Sequence, residues 1–75
     1  MQMVDVTIHV DETIDHDRRM QIADTVRARK GVMGVAHHDE KPHLMIVEYD
    51  PAAVTAHALL QVVRDQGVHA ELVGM

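Results

Sequence analysis

Polar and apolar positions alternate along "MVDVTIHV" (residues 3–10). Val4, Val6, Ile8 and Val10 fall on one side and Asp5, Thr7 and His9 on the other. A period of two with one apolar side predicts a half-buried strand. The polar stretch "DETIDH" predicts a loop, and from Asp17 to Gly31 the period changes. Ile22, Ala23 and Val26 are spaced for one helical face, Asp15 or Asp17 can cap the start, and Arg27, Arg29 and Lys30 crowd the last turn before Gly31 stops it. "VMGVAHH" and "HLMIVEY" read as two strands around "DEKP". Pro42 cannot donate to a ladder, so it belongs at the start of the second strand. "DP" at residues 50–51 breaks that strand. Thr55 then caps "AHALLQVVRDQ", whose Leu59, Leu60, Val62 and Val63 form an apolar stripe ending at Gly67. A last alternating stretch, "VHAELV", sets Val68, Ala70 and Leu72 opposite His69, Glu71 and Val73.

The order β-α-β-β-α-β predicts an α+β chain of the ferredoxin-like βαββαβ kind: a four-stranded antiparallel sheet with two helices on one face and the other face open. Residues 1–75 read as a single domain. A chain this short buries only about 60% of the surface its unfolded form exposes, so added burial in a complex would help it. Hydrophobic residues make up 47% of the chain, which argues against disorder, yet Tyr49 is the only aromatic. The core must therefore be aliphatic, with Met20 and Met45 fitting core positions, Met33 at a strand start and Met1, Met3 and Met75 at the termini.

Charge and composition then narrow the function. A net charge of −5, and no row of aromatic platforms, disfavour nucleic acid and anionic membrane. No apolar run approaches the roughly 20 residues of a membrane span, and residues 1–20 lack a signal peptide's basic and apolar regions. A cytoplasmic location is the expectation. With no cysteine, disulfides, thiolate metal sites and a cysteine nucleophile all drop out. No phosphate loop and no Ser-His-Asp spacing point to an enzyme. Seven dispersed histidines are the unusual feature. They suit either metal binding or a response to pH.

From Gly31 onward the sequence resembles the second half of the heavy-metal-associated domains of copper chaperones and metal-pumping ATPases. The matching residues are Gly31-Val32 followed by Val35, then Val47-x-Tyr49-Asp50-Pro51, Val54-Thr55, Leu59, Val63 and Gly67-Val68. The first strand and helix agree in spacing. The resemblance implies the same βαββαβ fold and a metal-handling role. That family's motif, Met-x-Cys-x-x-Cys, would place its cysteines near Asp15 and Arg18, where the chain reads Asp15-His16-Asp17-Arg18. Two-coordinate Cu(I) binding by thiolates is thereby excluded.

Three histidine sets remain as candidate metal ligands. In the layout that the resemblance implies, the first strand is central, antiparallel to the fourth and parallel to the third. His9, Glu48 and His69 would then meet on the open face as a three-ligand site for Cu(II), Ni(II) or Zn(II), with direct cross-strand neighbours about 4.5–5.5 Å apart at Cβ. The first loop, with Asp11, Glu12, Asp15, His16 and Asp17, offers harder ligands opposed by Arg18 and Arg19. Alternatively it is a capped turn or an anion-binding helix start. Across the hairpin, only one of His37 and His38 can join His43, because the two point to opposite faces; His38 with His43 is the candidate pair.

Ala36, Leu44 and Ile46 share the open face with Thr7, His9 and Glu48. Apolar residues there predict a covering partner, a second copy of the chain or another protein. Two functions stand side by side. One is a small metal-binding module that uses imidazole and carboxylate in place of cysteine. The other is a metal-free scaffold of the same fold acting as a homodimerising, interaction or regulatory module. A small-molecule sensor also uses this topology, but no ligand loop supports it.

Overall fold

A computed structural model of the chain describes residues 2–73. Its elements are β1 (Val4–Val10), α1 (His16–Arg27), β2 (Val32–His38), β3 (Lys41–Tyr49), α2 (Ala56–Arg64) and β4 (Ala70–Val73). The strands form one sheet in the order β2-β3-β1-β4, with every neighbouring pair antiparallel. This is the ferredoxin-like βαββαβ arrangement that the hydrophobic pattern predicts.

Local chemistry sets the element ends. The Asp15 carboxylate accepts from the Arg18 amide at 2.8 Å, and the Thr55 hydroxyl oxygen accepts from the Ala58 amide at 3.0 Å, so each helix starts on a side-chain cap. Gly31 follows α1 at φ 95°, where an L side chain is strained. It is also confined: a Cβ added there would lie 2.8 Å from the Ala53 Cβ. The Gly31 carbonyl accepts from the Asp50 amide at 2.8 Å, which fastens the exit of α1 to the turn before α2.

The two helices cover one side of the sheet. Val6, Ile8 and Val10 of β1 and Met45, Val47 and Tyr49 of β3 pack against Ile22, Ala23 and Val26 of α1 and Leu59, Leu60 and Val63 of α2. Burying each larger aliphatic side chain contributes roughly 1.5–3 kcal/mol. Tyr49 lies in the ladder between Val4 and Val32 and is itself buried. On the other side of the sheet Asp5, Ala36, Ile46 and Glu48 are exposed and Thr7, His9 and Leu44 are half-buried, so the uncovered face predicted from strand parity is present.

Four expectations change. Strand β1 runs antiparallel to β3, not parallel. The crossover through α1 returns β2 in the direction of β1, and the hairpin then reverses β3. His9 therefore pairs with Leu44, at the start of β3, while Glu48 pairs with Asp5. Four residues of strand, about 13 Å at 3.3 Å per residue, separate the two rungs. Second, Met20 is 42% exposed, because Arg19 takes the inward position beside it. Third, β3 starts at Lys41, so Pro42 is its second residue. Fourth, β4 starts at Ala70, so His69 precedes the strand. Met45 is buried as expected, Met33 and Met3 are exposed, and Met1 and Met75 lie outside the described residues.

Candidate functional site

Strand β1 delivers His9 to the rung where β4 presents Glu71; the two are register partners. Because β1 ends at Val10, Asp11 turns back toward the same ring. His9 Nδ1 lies 3.0 Å from Glu71 Oε1 and 3.1 Å from Asp11 Oδ1. Carboxylates only accept, so Nδ1 carries the proton and donates to both. All three groups are partly open to solvent. They offer one nitrogen and two oxygens within 4.8 Å of one another, and among the described residues no other trio of metal-ligating side chains is so close. The shared proton marks a place where two carboxylates and an imidazole converge on one point. A divalent ion that displaced it would find a mixed nitrogen and oxygen set of borderline hardness.

His43 supports this cluster from below. Its ring stacks on that of His9, with centroids 5.6 Å apart and planes 21° from parallel. Its Nδ1 donates to the Val10 carbonyl at 2.8 Å, which fixes the ring's position and tautomer.

The other predicted ligands are placed elsewhere. Glu48 stands at the far end of β1 beside Asp5, so the His9–Glu48–His69 set is not brought together. His69 lies just before β4, and its Nδ1 is 2.7 Å from Glu12 Oε2. The His69 amide also donates to Glu12 Oε1 at 2.8 Å. The shared hydrogen bond holds the Glu12 carboxyl below its usual range and raises the His69 imidazole above its own. His38 sits opposite Lys41 across an irregular rung, while His43 gives its Nδ1 proton to the Val10 carbonyl and stacks on His9.

The first loop is occupied by internal contacts. Asp15 caps α1, and Arg18 sends its guanidinium to the carbonyl of Gln66 in the turn after α2. His16 Nδ1 donates to Asp39 Oδ1 at 3.0 Å, and the nearly buried Arg19 reaches the same carboxylate. Arg19 Nε donates to His37 Nδ1 at 3.3 Å. Burial first, and the neighbouring Arg19 second, lower the His37 pKa, while the His16 hydrogen bond lowers that of Asp39. A cation already fills this loop, and it is a guanidinium. The thiolate copper site that the resemblance implies does not fit here.

Of this cluster the sequence pattern singles out His9, with Asp11 only as part of the first loop. Glu71 is not singled out by the pattern, although residues 69, 71 and 73 share a strand side and antiparallel pairing brings 71 to His9. The signal was present; the start of β4 was misplaced.

Compared by sequence, the chain matches no family profile and no curated protein. Compared by structure, it matches oxidized MerP from Ralstonia metallidurans with a TM-score of 0.86 at 18% identity, covering 97% of this chain and 100% of that one. It matches the yeast copper transporter domain, solved in apo and Cu(I)-loaded states, with a TM-score of 0.82 at 24% identity over 93% and 94% of the two chains. The copper chaperone of Enterococcus hirae matches with a TM-score of 0.77 at 23% identity over 91% and 98%. The chain thus has the fold of the heavy-metal-associated domains, built here without a cysteine.

Proposed function

We propose that the chain is a metal-handling module, a carrier rather than a catalyst, that takes a borderline divalent ion such as Ni(II), Cu(II) or Zn(II) through His9, Asp11 and Glu71. The observation that carries this reading is the convergence of the three donor groups within 4.8 Å at the β1–β4 edge. Structural likeness to a copper chaperone and a copper transporter domain adds support at the level of fold. The His43 ring stacked on His9 restricts the rotation of the His9 imidazole and so favours a fixed donor position.

The site is shallow and solvated, and it supplies three ligands, leaving room for water or a partner's donor on the ion. That geometry suits exchange of an ion more than its permanent storage. Isothermal titration calorimetry with each of the three ions tests the reading. Stoichiometric binding that weakens at least tenfold in His9→Ala and in Glu71→Gln is expected. Binding no tighter in the parent chain than in His9→Ala would end it.

A second reading, a metal-free scaffold used for protein interaction, is favoured by one observation: Arg18 closes the first loop onto Gln66 where the resemblance would put a ligand. Under that reading the calorimetry shows no binding, and the uncovered sheet face becomes the working surface.

A further inference from the structure

The uncovered face is ordered in rows across the sheet. Gly34, Glu48 and Asp5 make one row, so two carboxylates are direct cross-strand partners and the third position has no side chain. Like charges placed directly opposite one another destabilise a sheet. Both side chains are exposed, and among the described residues neither carboxylate has a cation or a donor within bonding distance. The next row crosses all four strands as Ala36, Ile46, Thr7 and Val73, with Ile46 39% and Val73 41% exposed. Glu71 adds a third carboxylate beyond it.

Among the described residues no Lys or Arg answers Asp5 or Glu48. Six of the seven Lys and Arg residues lie on α1, on α2 or in the turn that ends α1, and the seventh, Lys41, begins β3 at the hairpin. The charge of the molecule is therefore divided. Its cations gather with the helices, while an apolar strip edged by carboxylates occupies the bare side of the sheet. The fold gains nothing from facing Asp5 with Glu48, and a second copy of this face would bring further carboxylates but no Lys or Arg to answer them.

We propose that this face docks a segment of another protein that sets Lys or Arg against Asp5 and Glu48 and an aliphatic side chain against Ile46 and Val73. An apolar centre supplies the buried contact, and the acidic edge sets orientation and excludes acidic surfaces. The proposal does not rest on the metal site and holds whether or not an ion occupies His9.

A synthetic peptide alternating Lys and Val serves as the probe, followed by amide chemical shifts of the labelled protein. Expected are shifts at Thr7, Ala36, Ile46, Glu48 and Val73, weakening with salt, and at least tenfold weaker binding to the double variant Asp5→Lys/Glu48→Lys. The double variant Glu40→Lys/Asp65→Lys changes net charge equally but lies off the face, and it should bind as the parent does. The same peptide with Glu in place of Lys should bind only the Asp5→Lys/Glu48→Lys protein. Equal loss in both double variants, shifts confined to the helical side, or sedimentation of the free protein as a dimer through this face would each overturn the proposal.

Discussion

Arg18, in the first turn of α1, donates its guanidinium to the carbonyl of Gln66, in the turn that follows α2. These two residues come from opposite halves of the chain, and their contact ties the first loop to the end of the second helix. A fixed positive charge therefore bridges the region where the family resemblance would place a thiolate.

Restoring the cysteine pair should reopen that place. The double variant Asp15→Cys/Arg18→Cys is expected to gain Cu(I) binding that survives a colorimetric Cu(I) chelator, where the parent protein has none, because soft thiolates select Cu(I). Loss of the Asp15 cap should cost about 0.5–2 kcal/mol in the metal-free variant. Competition titration under anaerobic conditions checks the gain of Cu(I) binding, and urea unfolding checks the stability loss.

Ile8 and Ile46 offer a paired test of which side of the sheet is covered. Ile8 is fully buried beneath the helices, whereas Ile46 stands on the bare face. Ile8→Ala should lower stability by about 2–5 kcal/mol. Ile46→Ala should stay within about 0.5 kcal/mol of the parent. Urea midpoints at constant slope decide it, and equal losses would mean that Ile46 is covered in solution.

Gly31 is constrained by both backbone and space. A side chain there must adopt a positive φ, costing about 1–2 kcal/mol, and must also push into Ala53 and Val54. Gly31→Ala should therefore destabilise by more than the backbone penalty alone, whereas Gly67→Ala, with a positive φ but open space around it, should lose only that penalty. Thermal unfolding of the two variants separates the clash from the strain.

His37 sets part of the pH dependence. Its pKa is lowered by burial and then by Arg19, with His16 and Arg27 acting in the same direction and Asp39 opposing them. The unfolded chain therefore takes up a proton at His37 more readily than the folded one. Stability from this group is present above the ordinary imidazole value and declines as the pH falls below it, because protonation forces His37 Nδ1 to give up the bond from Arg19. His37→Gln, which keeps an acceptor for Arg19 without titrating, should flatten the fall in stability between pH 7 and pH 5. Denaturant titrations across that range, parent against variant, provide the check. An unchanged slope would place the acid sensitivity elsewhere.

Much of this architecture could be read from the residues. Alternation in β1 correctly places Val6, Ile8 and Val10 inward, although Val4, at the strand start, is exposed; Asp15, Thr55, Gly31 and Gly67 end or begin helices as their chemistry requires. What escaped was pairing across distance. Glu48 was assigned to the wrong end of β1 because strand direction follows from the hairpin, a property of two segments together. Arg19 escaped because charge hides helical phase: Arg19, Ile22, Ala23 and Val26 share one stripe, and a buried guanidinium is tolerable only once Asp39 and His37 are seen to meet it. The His9–Asp11–Glu71 cluster likewise depends on where β4 begins, a boundary that alternation alone locates only to within a residue or two.

Tyr49 lies in the central ladder, flanked by Val4 and Val32, in a chain that has neither tryptophan nor phenylalanine. The molecule consequently carries a single intrinsic fluorophore, buried at the end of β3, where sheet and overlying core must part before water reaches it. Phenol emission should therefore report global unfolding of the native sequence without a dye or an engineered label, and stopped-flow mixing can time that event directly.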